Sequence, residues 1–216
     1  GLIKRTYGGA VRWPNPVGEP ALLAREERQT LASAQKIRIA RYAAEQFVAR
    51  KDIIILEGGT TATAMAPFLA DKDDLTVVTN GLATADELRR HLPLNATIIC
   101  TGGILRPESA TFVGSPAERF FREFNANRLF LSASGITLED GITDPRMLEI
   151  QVKRAMIASA KEVIILMDSS KFGTRSLMKV IDFSEFRLLI TDDGAPAAML
   201  DSLRARGNEV LVVPSL

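Results

Sequence analysis

The residues best suited to chemistry lie in short loops of glycine and hydroxyl side chains, the richest being Glu57-Gly58-Gly59-Thr60-Thr61-Ala62-Thr63. Glycines let a backbone approach a ligand closely, hydroxyls donate hydrogen bonds, and the start of a helix favours an anion. Gly58, Gly59, Thr60, Thr61 and Thr63 thus form a candidate phosphate cradle. The loop is not a Walker A loop, because no Gly-Lys-Ser/Thr follows, and it does not fit the Gly-x-Gly-x-x-Gly dinucleotide pattern. Taken alone it reads equally well as an ordinary strand-to-helix turn. Five more loops share the composition: Thr79-Asn80-Gly81, Thr101-Gly102-Gly103, Ser132-Ala133-Ser134-Gly135, Asp168-Ser169-Ser170-Lys171 and Asp192-Asp193-Gly194. One such turn is only loop chemistry; six at successive strand ends describe a polar pocket rich in backbone N–H groups. Lys171 offers that pocket a point charge for a phosphate, although by itself it reads as a solvated loop lysine. Glu149 and Lys153 are four apart and share a helix face. Such a pair is ordinarily a weak surface ion pair, but the helix opens soon after a pocket-edge loop, so Glu149 is expected to point inward.

Other chemistries find no support. His91 is the only histidine and Cys100 the only cysteine, which leaves no zinc-ligand cluster. A Ser-His-Asp triad would need His91, near the end of a predicted helix and away from the loops. Cys100 ends an apolar run and reads as a buried structural thiol suited to a reducing cytoplasm. Phe120, Phe121 and Phe124 have helical spacing and read as core or interface. No catalytic residue, metal or cofactor is expected. With a net charge of +1 the chain carries no strong field for nucleic acid. Residues 1–51 do hold ten Lys or Arg against four Glu, which by itself reads as a solvated helix face. No apolar run reaches 18 residues, so no membrane span is expected.

These loops require a scaffold that brings them to one edge. Residues 1–20, rich in Gly and Pro, read as an irregular linker, and residues 21–216 as one α/β domain. The absence of Gly and Pro from 21–50, with Leu31, Ile37, Ala40, Ala44 and Phe47 at helical spacing, predicts one or two helices. Short β-branched runs predict strands at 53–56, 75–79, 97–100, 128–132, 163–167, 188–191 and 209–213. Ser115 is expected to cap a helix with Pro116 in its first turn and Glu118 in a capping box. Asp144-Pro145 is expected to open another that runs to about Lys161. Strands alternating with helices predict a mainly parallel sheet with helices on both faces. Ligands bind such sheets at the carboxyl ends of the strands, where the six loops lie.

In order and spacing these segments resemble the C-terminal effector domain of the DeoR family of bacterial transcriptional regulators. The likeness runs through Arg5-Thr6-Tyr7-Gly8-Gly9-Ala10, residues 54–61, Thr76-Val77-Val78-Thr79-Asn80, Thr101-Gly102-Gly103 and Phe112-Val113-Gly114. It continues through Leu131-Ser132-Ala133-Ser134-Gly135-Ile136, Gly141-Ile142-Thr143, Glu149, Lys153-Arg154-Ala155-Met156, Asp168-Ser169-Ser170-Lys171-Phe172-Gly173 and Ile190-Thr191-Asp192-Asp193. Glu57 stands where the family usually has Asp. The stretch Asp144-Pro145-Arg146-Met147 varies in the family and is expected to tune which metabolite fits.

The resemblance implies a fold shared with ribose-5-phosphate isomerases, glucosamine-6-phosphate deaminases and CoA-transferase-like proteins. It implies a cytoplasmic homo-oligomer that senses a phosphorylated sugar or related metabolite, most often as a repressor of a sugar-catabolic operon. Operator DNA would be reached only through a winged helix-turn-helix domain preceding the linker and absent from this sequence. The expected ligand-binding residues are Gly58, Gly59, Thr60, Thr61, Thr63, Thr79, Asn80, Gly81, Gly102, Gly103, Ser132, Ser134, Gly135, Glu149, Lys153, Asp168, Ser170 and Lys171. The alternative is a sugar-phosphate isomerase or deaminase on the same fold. The related isomerases carry acidic residues where this chain has Ser132-Ala133-Ser134-Gly135, so that loop supplies no general base here.

Overall fold

The structure, a computed structural model, describes residues 3–6, 9–12 and 24–215. Within the stretch expected to be irregular, β1 (Ile3–Thr6) and β2 (Gly9–Arg12) pair antiparallel, Ile3 opposite Arg12 and Thr6 opposite Gly9. Glycine and proline signals hid two four-residue strands there; the remainder of that stretch lies outside the described residues. The helical segment forms α1 (Arg25–Thr30) and α2 (Ser33–Phe47), separated by Leu31 and by Ala32, which has a φ of +50°. Buried Ile39, Ala40, Ala43 and Ala44 recur at the spacing of one helix face. Leu31 and Ile37, expected on that face, are half exposed; Leu31 lies in the break between the helices, and Ile37 falls at the edge of the buried face of α2.

The chain then alternates through β3 (Ile53–Leu56), α3 (Thr60–Thr63), β4 (Thr76–Thr79), α4 (Leu82–His91), β5 (Thr97–Cys100), β6 (Ile104–Arg106), β7 (Thr111–Val113) and α5 (Ser115–Arg122). It continues with β8 (Ala126–Leu131), β9 (Gly135–Thr137), β10 (Gly141–Asp144), α6 (Met147–Ala158), β11 (Ala160–Leu166), β12 (Met178–Ile181), β13 (Leu188–Asp192), α7 (Ala197–Ala205) and β14 (Glu209–Val213).

All seven predicted strands join one parallel sheet in the order β14-β13-β11-β8-β3-β4-β5. Its strands are nearly continuous apolar runs because both faces are covered. On one face Ile54, Leu56, Phe130 and Ile164 pack against α2 and Leu88 of α4. On the other, Ile55, Leu129, Leu131 and Ile165 pack against Phe121 of α5, Ile150 and Met156 of α6, and Leu203 of α7. Each such large side chain, fully withdrawn from water, contributes about 1.5–3 kcal/mol. Phe121 is fully buried, with Phe120 and Phe124 packed against the same core.

Two helix starts differ from expectation. Gly114, with a φ of +87°, takes the N-cap position of α5, and Ser115 lies inside the first turn with Pro116. Asp144 does not open α6; it ends β10, paired with Met178 of β12. Pro145 holds the residue before it extended, so α6 starts two residues later, at Met147. It also ends early, because Ala160 already pairs with Ala126 in the sheet. Two small antiparallel units, β6-β7 and β12-β10-β9, sit beside the strand ends and had no counterpart in the predicted strands. Their strands of three or four residues are too short to show a period.

Candidate functional site

The sheet reverses its order between β3 and β8: the chain leaves β3 toward β4 and β5, and leaves β8 toward β11, β13 and β14. Loops diverge at such a switch point and leave a crevice. Here the loops after β3 and β8 line a small cleft from two sides, Glu57, Gly59, Thr60 and Thr61 from the first and Ser132, Ala133 and Ser134 from the second. Asp144 of β10 and Lys153 of α6 close one end. Arg28 of α1, Lys36 of α2 and Lys171 close the other. A larger concavity of 780 Å³ lies at the opposite edge of the sheet. Arg128 there is already paired with Asp52 at 2.9 Å and Glu162 at 3.0 Å.

Of the residues selected from sequence, Gly59, Thr60, Thr61, Ser132, Ser134, Lys153 and Lys171 line the cleft. Several others stand behind them. Asn80 accepts from Gly58 N at 3.0 Å and donates to Phe112 O at 3.2 Å. Thr79 Oγ1 accepts from Gly81 N, and Thr63 Oγ1 donates to Gly59 O at 2.8 Å. Asp168 pairs with Lys36 at 3.3 Å and caps the turn at Ser170. Glu149 does point inward, but toward Thr111 and Arg146, and burial pushes its carboxyl up. Gly102 and Gly103 are exposed in the loop after β5. Neither they nor Gly135 are among the residues that line the cleft.

The glycines serve a purpose other than the one their pattern suggests. A Cβ on Gly59 would lie 2.0 Å from Ser132 Oγ, and one on Gly58 would lie 2.6 Å from Thr111 Cγ2 and 3.0 Å from Gly81 Cα. These positions exclude side chains because loops from neighbouring strands abut. Gly58 N and Gly59 N are likewise engaged, by Asn80 and by Glu57 Oε2. Among the described residues, the amides of Thr60, Thr61 and Ala62 meet no acceptor. Arg25 fastens the loop from behind, donating to Gly58 O at 2.6 Å and Thr63 Oγ1 at 3.0 Å.

Two separate groups of charge line the cleft. At one end Lys153 is buried, donating to Asp144 Oδ2 at 2.8 Å and Ser132 O at 2.7 Å, with Glu57 Oε1 at 3.5 Å. Burial disfavours its charge, but Asp144, Glu57 and Glu149 outweigh that and hold the ammonium above its ordinary range. At the other end Lys36 is lowered by burial, with the nearby charges of Lys171 and Arg28 adding to the effect and Asp168 opposing it. Arg28 and Lys171 form no ion pair among the described residues, and Arg28 Nε is buried without a hydrogen-bond partner. Sequence reasoning missed Arg28 and Lys36 as cleft residues, and it placed Asp144 only in a stretch expected to tune which metabolite fits. The first two belong to helices whose contact with the strand ends exists only after folding, and Asp144 read as a helix start.

No helix among the described residues is long and apolar enough to cross a membrane. Among solved structures, eIF2B delta from Chaetomium thermophilum aligns with 76% of this chain and 56% of its own at 18% identity and a TM-score of 0.50. The chain thus spans little more than half of that protein, and the likeness concerns the fold alone. The helix-turn-helix-type transcriptional regulator GolR of Listeria innocua serovar 6a is 33% identical over 98% of this chain and 81% of its own. The glycerol-3-phosphate regulon repressor of Escherichia coli K12 is 29% identical over 94% of this chain and 77% of its own. The DeoR C terminal sensor domain matches residues 31–193. The chain therefore belongs to the DeoR family of transcriptional regulators, whose sensor domain it carries.

Proposed function

We propose that this domain senses a phosphorylated sugar or related metabolite in the cleft at the switch point, and so sets the operator affinity of a repressor. The observation that carries this reading is the cluster of Arg28, Lys36 and Lys171, in which, among the described residues, Lys36 alone has an ion-pair partner, Asp168. A phosphate would supply the missing negative charge and take hydrogen bonds from Lys171, Arg28 and the amides of Thr60 and Thr61. Ser132 and Ser134 face the rest of such a ligand. Asn80 and Glu149 act from behind, by holding loops. The name of the glycerol-3-phosphate regulon repressor agrees with a phosphorylated effector.

Residues 21–216 make up the sensor in this reading, and 1–20 connect it to a helix-turn-helix domain of the kind that GolR carries in its name. Such a regulator works in the cytoplasm as a homo-oligomer, since operators are read by paired domains. The ligand acts only through unequal affinity for the states that bind and release DNA. Sensing is favoured over catalysis because the loop after β8 has no carboxylate and both oxygens of Glu57 are engaged.

Calorimetric titration of sugar phosphates into the wild type and Lys171→Ala tests the site. Lys171→Ala is expected to weaken binding about ten- to a hundredfold, the worth of one charge-assisted hydrogen bond. Equal affinity removes Lys171 from the site. Robust isomerase or deaminase turnover by the purified chain overturns the sensor reading.

A further inference from the structure

The two ends of the cleft differ in sign, and at the Lys153 end nearly every acceptor is already used. Glu57 Oε2 accepts from Gly59 N at 2.9 Å and from Ser132 Oγ at 2.7 Å, while Oε1 lies 3.5 Å from Lys153. Asp144 Oδ2 accepts from Lys153 Nζ at 2.8 Å. Asp144 Oδ1 is buried and has no hydrogen-bond partner. A buried carboxylate oxygen without a donor is uncommon, because it has given up water and gained nothing in exchange. Asp144 is 2% exposed, and it is one of the cleft's lining residues.

Its placement is fixed from two directions. The backbone of β10 is held between β9 and β12, and Lys153 holds the other carboxylate oxygen. Glu57, Asp144 and Lys153 together carry one net negative charge. The other group, of Arg28, Lys36, Lys171 and Asp168, carries two net positive charges. A ligand that satisfies both ends has an anionic group at one and a hydrogen-bond donor at the other.

The geometry points to Asp144 as the residue that reads the ligand's hydroxyl end: its Oδ1 accepts a hydrogen bond from a hydroxyl of a phosphorylated polyol. This rests on the cationic end being the phosphate seat. The same arrangement selects against a sugar acid, whose carboxylate would face Asp144 and Glu57 with no free cation between them. Lys153 engages only Oδ2, so Oδ1 is left for a ligand while the ion pair holds Asp144 in place.

The test combines ligand and protein changes in one cycle. Inorganic phosphate, ribose 5-phosphate, 2-deoxyribose 5-phosphate, glucose 6-phosphate, 2-deoxyglucose 6-phosphate and 6-phosphogluconate are titrated into the wild type, Asp144→Asn and Lys171→Ala. Asp144→Asn is expected to leave inorganic phosphate within about twofold and to weaken the preferred sugar phosphate about tenfold or more. Deoxygenation at the position read should cost about as much in the wild type and almost nothing in Asp144→Asn, and 6-phosphogluconate should bind less well than glucose 6-phosphate. Equal deoxygenation costs in both proteins overturn the role of Asp144 while leaving the phosphate seat intact. If Lys171→Ala changes no affinity, the phosphate seat itself is wrong and this inference falls with it, as it does if no phosphorylated ligand binds the wild type. Should Asp144→Asn fail to fold, the wild type still decides once each hydroxyl of the bound sugar phosphate is removed in turn: no deoxygenation cost at any position overturns the proposal.

Discussion

Replacing Lys153 by Met tests the electrostatic argument most directly. The substitution keeps most of the volume but removes the cation that faces Asp144 Oδ2 at 2.8 Å and Glu57 Oε1 at 3.5 Å, and deprives Ser132 O of its donor. Glu57, Asp144 and Lys153 have side chains only 3–4% exposed, so water compensates poorly for the lost partner. Breaking a buried ion pair from one side costs about 3–5 kcal/mol. In a domain of this size that lowers the melting temperature by roughly 6–20 °C. In the wild type the pH dependence of this contribution follows from Lys153 itself. Lys153 has its folded value raised, so its contribution is complete below about 10.4 and is lost only as pH rises through the higher folded value. Urea unfolding from pH 7 to 11 measures both proteins, and the difference between them should begin to shrink only at the alkaline end. The triple variant Lys153→Met, Glu57→Gln, Asp144→Asn should recover much of the stability, since neutral groups leave no buried charge behind. A single variant that loses less than about 1 kcal/mol at pH 7, a typical worth for an exposed pair, would refute the reasoning.

Two further predictions concern stability. Gly59→Ala should cost about 1–3 kcal/mol, because its Cβ would strike Ser132 Oγ and Glu57 Oε2. Gly102→Ala, with nothing within 4 Å of the added carbon, should stay within about 0.5 kcal/mol in the same thermal scans. Glu149 is raised by burial, so the folded state holds its proton longer than the unfolded chain and stability falls as pH rises from about 4.3 through the folded value. Glu149→Gln should remove that falling limb; an unchanged pH profile by urea unfolding would show that Glu149 does not cause it.

The parallel sheet was legible because β-branched runs such as Ile53-Ile54-Ile55-Leu56 need no context to read as strands buried on both faces. The strand-end loops were legible for a similar reason, since glycine and hydroxyl clusters mark turns locally. The role of each glycine was not legible. Gly58 and Gly81 matter to each other across 23 positions of sequence, and their close approach appears only when β3 and β4 lie side by side. Arg28 and Lys36 were hidden for the same reason, as two charged residues in a segment that reads as a solvated helix. Asp144 was misread because Asp-Pro is a local helix signal, while the pairing that keeps it in β10 comes from Met178, 34 residues away.

The order of the strands also bears on when this molecule becomes able to bind anything. β3 with β4 and β5, and β8 with β11, pair over short separations in sequence. The joint between the two halves brings Ser132 to Glu57 across 75 residues. Loop-closure entropy makes such a contact the more expensive to form, and parallel pairings of this range form late. The cleft straddles that joint and takes Lys171 from farther along the chain. A nascent chain that has made only β3, β4 and β5 has half a cradle and no counter-wall. On the function proposed above, effector recognition would report completed folding: a ligand that binds only the closed cleft stabilises the finished domain by mass action and does nothing for its fragments.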